Sequence, residues 1–283
     1  MSSINKMEIN NMRAFINNIF SKIESFFSLP RLKLLKTLYV NIRMLPLGQA
    51  LKFPIYVYGM RIYSLKGNMV INGKIERGMI KFGLPRYGHC IDHRKIYLYL
   101  AGDIIFNGPC AFANGTSLNI AGTLEMGQDS YISENVYVTC ANYIKIGGRT
   151  IVGPKVTFMD TDSHSLYDMN NGKINRSIAP INIGRFCWIG SGAVVLKGTI
   201  LPDSVTVASN SLLNKDYLPL VPQKSVIGGL PAKLIKEGVV RVRKQYDRKY
   251  RDYFLENESE KYAYIDKNAD YHDICYPDPM ITK

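Results

Sequence analysis

The sequence predicts a mainly β chain wound as a parallel β-helix, and three observations predict it. Apolar residues recur every six positions: Ile183, Ile189, Val195, Leu201, Val207 and Leu213 form one run, and Ile120, Met126, Ile132 and Val138 another. Ile146, Val152 and Phe158 follow after a two-residue shift, and Leu100, Phe106 and Phe112 come before. The residue after the apolar one is small in eleven of these sixteen places, as at Ala113, Gly127, Gly147, Gly184 and Gly190. The residue two before it is aliphatic or small in all of them, as at Cys110, Ser130, Thr150, Cys187, Ala193, Thr199 and Ser211.

Residues two apart on an extended strand share a face, so each hexad turns two side chains inward and then bends. A small residue suits the bend, where the backbone turns tightly. A helix would repeat every 3.6 residues and would lose this register. Ordinary sandwich strands would not hold six-residue steps over such a length. The expected structure is one short strand per hexad, three hexads per coil, and backbone hydrogen bonds from coil to coil at about 4.8 Å.

The flanks lack the repeat. Phe15, Ile16, Ile19, Phe20, Ile23, Phe26 and Phe27 recur at helical spacing and stop before Pro30, which predicts an amphipathic helix. It packs on its own protein or lies in a membrane interface. After Ile235 the repeat ends, and the rest is rich in charge and Tyr. The expected organisation is a helical, basic segment over 1–54, a β-helix domain over 55–236, and a helical extension and tail over 237–283.

Composition narrows the class. With 283 residues, 46% hydrophobic, the chain can build a large core. No apolar run approaches the roughly 20 residues of a membrane span. The opening MSSINKMEIN lacks the layout of a signal peptide. The cysteines, Cys90, Cys110, Cys140, Cys187 and Cys275, are odd in number and include no CxxC. A reducing, cytoplasmic setting is therefore expected, with the inner face of the membrane as a further possibility, and neither a disulfide framework nor a metal site. The net charge is +13, and from Ser25 to Ile75 there are eight basic residues and no acidic one. Such a stretch is a solvated basic face or a membrane or glycolipid contact; no nucleic-acid partner is expected.

The register breaks once. Between Phe158 and Ile183 lies the polar stretch MDTDSHSLYDMNNGKINRSIAP, read as a protruding loop. It holds His164, with Asp160 and Asp162 nearby, and loops on stiff scaffolds commonly carry catalytic groups. His89 and His93 could share a helical face, but GHCIDHRK supplies no convincing third metal ligand.

The pieces IGGRTIVGPKVTFMDTDSHSLYD, APINIGRFCWIGSGAVVLKGTILPDSVTVASNSLLNKD and IGGLPAKLIK resemble the hexapeptide-repeat O-acetyltransferases, a group with galactoside, maltose, capsule and lipopolysaccharide acetyltransferases. The resemblance implies a left-handed coil, a homotrimer with sites between subunits, acetyl-CoA as acyl donor and a sugar or glycan acceptor. It implies His164 as general base, and the chemistry suits a neutral imidazole with a pKa near 6.5. Asp160 or Asp162 is the candidate partner of its second ring nitrogen. By position it places Ser191, Ser209, Asn214, Lys215, Lys233 and Lys236 along the donor; Asn214 departs from the family's usual Thr. Cations at Lys233 and Lys236 suit the phosphates of CoA. Other readings are N-acetyl transfer to an amino-sugar nucleotide, serine acetylation, a non-catalytic interaction subunit, or a γ-carbonic-anhydrase-like zinc enzyme, which needs three histidines.

Overall fold

A computed structural model of the chain describes residues 32–84, 94–242 and 244–264. The amphipathic stretch 15–27 and His89, His93, Cys90 and Cys275 lie outside them. The described residues form three sheets of nine, seven and six strands, in which neighbouring strands within each sheet are about every third strand of the chain. Pairing is parallel throughout the coils, as in Ile104 with Leu124 and Ile144 with Ile181. All sixteen apolar positions are buried, and so are all sixteen residues two before them. The interior is one continuous apolar column, with Phe82 and Phe112 stacked at 5.0 Å between ring centroids.

The coil length differs from the expected three hexads. Phe106 pairs with Met126, Phe112 with Ile132 and Leu118 with Val138, a step of twenty residues. Only near the end does the step become eighteen, where Ile183 pairs with Leu201, Ile189 with Val207 and Val195 with Leu213. The extra dipeptide sits at one corner, in Leu100–Ala101–Gly102 and Ile120–Ala121–Gly122. The two-residue shift before Ile146 is thus part of a regular longer coil.

The glycines among the small corner residues have a different cause from the expected bend. A Cβ on Gly190 would lie 2.5 Å from the Val207 carbonyl oxygen, and one on Gly147 would lie 2.5 Å from the Gly184 carbonyl carbon. The next coil's backbone leaves no room there. The left-handed turn falls two residues later, at Arg149, Phe186 and Asn210, with φ of 58°, 58° and 56°.

The first coil is capped by a helix. Helix α1 (Leu34–Met44) stops where Leu45 turns extended ahead of Pro46, as residues before proline do. A short α2 (Leu47–Ala50) follows, and α3 (Lys244–Glu256) lies after the coils. The buried face of α1 carries Thr37 and Asn41 beside Val40 and Met44. Asn41 Nδ2 donates to the Ile55 carbonyl at 2.8 Å, and its Oδ1 accepts from the Ile55 N–H at 3.2 Å. Thr37 Oγ1 accepts from the Val57 N–H at 3.1 Å. These side chains satisfy the free edge of strand Ile55–Val57, which would otherwise template pairing with another chain.

Cys110, Cys140 and Cys187 are free and buried. Burial pushes the Cys187 thiol up to about 12; burial, then the nearby Asp160 carboxylate, do the same for Cys140. Thiolate is the reactive form. An alkylating reagent at about pH 8 is therefore expected to label none of the three until the protein unfolds, as read by peptide mass spectrometry.

Candidate active site

The break in the repeat begins at a corner with its own hydrogen-bond ladder. In the lower coils one carbonyl receives two N–H groups from the coil beneath. Ala101 and Gly102 donate to the Ile120 oxygen at 2.8 and 3.0 Å, and Ala121 and Gly122 to the Cys140 oxygen at 2.8 and 2.9 Å. One coil further the chain leaves the corner, and the equivalent carbonyl is no longer stacked there. The Asp160 carboxylate takes its place: the N–H groups of Ala141 and Asn142 donate to Oδ1 and Oδ2 at 2.7 and 2.8 Å. Asp160 is fully buried.

From this root a narrow arm projects over residues 160–180. Ala179 N–H donates to the Asp160 carbonyl at 3.0 Å, and Asp162 N–H to the Ser177 carbonyl at 2.8 Å. Thr161 bridges antiparallel to Ile178, and strands Tyr167–Asp168 and Lys173–Ile174 pair near the tip. The expected loop is therefore a hairpin arm. At its tip Gly172 has φ of 71°, and the Asp168 carboxylate accepts from Asn170 N–H and Asn171 Nδ2.

His164 sits on the near part of the arm, exposed to solvent. Ser163 before it holds φ of 60°, sparsely populated for a non-glycine residue, and its N–H donates to Thr161 Oγ1 at 2.9 Å. This turn presents the imidazole outward. Asp162 pairs with Lys197 at 3.1 Å. The sequence reading missed Lys197, although register could have found it. Met159 pairs with Leu196, so the next residue along puts Lys197 beside the root of the arm. Of the two carboxylates, Asp160 is engaged with the coil and Asp162 with this lysine.

The other candidate residues divide between two edges of the coil. Ser191 and Ser209 are exposed and stack one coil apart, where Asn210 N–H donates to the Ser191 carbonyl at 2.9 Å. Lys233 and Lys236 lie exposed on the hairpin Ser225–Gly229/Ala232–Glu237, with Lys233 opposite Gly228, which belongs to the next turn of that same edge. Asn214 and Lys215 follow strand Leu212–Leu213 and lie on the arm's edge; Lys215 Nζ is 5.8 Å from the Tyr217 ring centre. A six-residue side, roughly 20 Å of extended chain, runs from Ser191 to Lys197. Within one chain, then, His164 and the Ser191–Ser209–Lys233 edge stand at opposite borders of the same sheet.

No family model matches the chain. It is 26% identical over 152 residues to WbbJ of Escherichia coli strain K12, whose name marks it as a candidate lipopolysaccharide-biosynthesis O-acetyl transferase; the match covers 49% of this chain and 75% of that protein. Galactoside O-acetyltransferase of the same strain is 27% identical over 150 residues, covering 53% and 66%. Chloramphenicol acetyltransferase of Morganella morganii is 42% identical over 55 residues, covering 19% and 24%. Among solved structures, the polySia specific acetyltransferase NeuO aligns with a TM-score of 0.43 and 18% identity, over 72% of this chain and 99% of that one.

Proposed function

We propose, on the premise that the chain is a hexapeptide-repeat acetyltransferase, that it transfers an acetyl group from acetyl-CoA to a hydroxyl of a surface-polysaccharide sugar. The observation that carries this reading is the exposed imidazole of His164 on an arm that leaves the coil at a single corner. In the proposed step the imidazole takes the proton of the acceptor hydroxyl as its oxygen bonds to the thioester carbonyl carbon. The C–S bond then breaks, and the departing sulfur receives a proton from the imidazolium, leaving CoA thiol and the acetyl ester. The names of the two Escherichia coli relatives support O-transfer to sugars. The test is CoA-thiol release from acetyl-CoA against a panel of free sugars, nucleotide sugars and lipid-linked glycans. Release with hydroxyl acceptors is expected; release only with amino sugars would replace this reading with N-transfer.

The two separated edges favour a site completed by a second subunit, with the arm of one copy facing the serine and lysine edge of its neighbour. The arm is suited to such a contact: Leu166, Tyr167, Met169 and Ile174 are all exposed on it, Met169 at 88%. A homotrimer closes this arrangement by cyclic symmetry. Co-refolding a His164→Ala chain with a Lys233→Ala/Lys236→Ala chain, assayed at low ionic strength with acetyl-CoA well below the parent KM, is expected to give more activity than the two variants give separately, because some interfaces then pair an intact arm with an intact edge. Activity no greater than the sum of the separate variants would place the whole site within one chain.

The two lysines give a separable prediction. Lys233→Ala/Lys236→Ala is expected to raise the KM for acetyl-CoA severalfold at low ionic strength while leaving kcat near its original value. The difference should shrink as salt screens exposed charges. An unchanged KM at low salt would remove these residues from the donor site.

A further inference from the structure

We propose that the outward face of α1 is a docking surface for an anionic lipid bilayer. This inference is independent of the acyl-transfer reading, since it rests on the opposite end of the coil. One face of α1 is committed to the first coil through Thr37, Val40, Asn41 and Met44. The other is also apolar: Leu34, Leu35, Leu38, Tyr39 and Ile42 are exposed, Leu35 at 83%. Leu47 and Leu51, just beyond the helix, are exposed as well. An apolar patch of this kind on a soluble surface marks an interaction site.

The charge around the patch selects the occupant. Lys33, Lys52, Arg61 and Lys66 are exposed near it in sequence, and Lys36 and Arg43 are anchored at the flanks of the helix by the carbonyls of Met60 and Leu65 at 2.8 and 2.7 Å. No acidic residue occurs between Ser25 and Ile75. Apolar side chains rimmed by cations match the acyl boundary and headgroups of an anionic bilayer. A second copy seated on this face would set one basic cluster against another. Residues 1–31 bring four basic and two acidic residues, so they offer no net negative charge either. Because the coil already holds α1 in shape, docking need not fold a helix at the membrane. No helix among the described residues is long and apolar enough to cross a membrane, so the contact is with the surface.

The test is flotation of the full chain with vesicles of phosphatidylcholine alone and of phosphatidylcholine mixed with phosphatidylglycerol. The expected result is binding to the mixed vesicles that weakens with added salt, and much less binding to phosphatidylcholine alone. Leu35→Asp/Ile42→Asp should lower the partition at least about tenfold, as expected for losing one well-buried apolar side chain or more. Lys33→Glu/Lys52→Glu should lower it on the mixed vesicles alone. Both pairs are exposed, so the thermal melt should stay that of the parent and serves as the folding control. Equal absence of binding to both vesicles, or binding indifferent to Leu35→Asp/Ile42→Asp, overturns the proposal. So does a fall in oligomer size in that variant, which assigns the face to a second copy. Binding that appears only once residues 1–31 are deleted assigns it to the chain's own N-terminal segment, with the same consequence.

Discussion

His164→Ala is expected to lower kcat for acetyl transfer by roughly 10²–10⁴, the usual contribution of a positioned general base. In free-energy terms that is about 3–5 kcal/mol of transition-state stabilisation. The fold should not notice. The imidazole is exposed on an arm, outside the apolar column, and substitutions at such sites usually shift stability by less than about 0.5 kcal/mol. Oligomer size and CoA affinity should therefore match the parent, and the loss should appear in kcat. Near-parental transfer in His164→Ala, measured with an accepted sugar, would place the base elsewhere and leave the β-helix assignment intact.

The coil was legible because its rule is local and repeated. Each hexad turns two side chains inward, and in eleven of the sixteen a small residue follows them, so the instances reinforce one another from Leu100 to Leu213. The corner dipeptides were harder to read. Ala101–Gly102 and Ala121–Gly122 look like irregularities in a six-residue count, yet they stack on one another and make a twenty-residue coil regular. The arm could be found only as an interruption. Its tip strands are two residues long, and Tyr167 and Ile174 are exposed in them, so no inward–outward alternation announces a hairpin. The separation of Ser191 and Ser209 from His164 was likewise hidden. It follows from which corner each residue occupies, and that requires the register of every coil between them.

Asp160 is where local sequence misleads most, because in DTDSH it reads as a partner for the histidine. The ladder says otherwise, and a pair of substitutions separates the two roles. If Asp160 acts by replacing a missing carbonyl, Asp160→Ala leaves the N–H groups of Ala141 and Asn142 without their acceptor. Two charge-assisted hydrogen bonds of about 1.5–3 kcal/mol each are then at stake. Ala141 is exposed, so water recovers part of this, and roughly 2–4 kcal/mol of destabilisation is expected. Asp160→Asn should fare little better. An amide has one acceptor oxygen, so its NH₂ must face the other N–H. Both variants should melt earlier than the parent and lose transfer together, because the root that aims His164 is no longer fixed. An orienting role toward the imidazole predicts a different pattern: a loss of kcat with an unchanged melt, and substantial rescue by Asn, which can still accept one N–H from a ring. Melting curves and kcat for the two variants, measured side by side, decide between them.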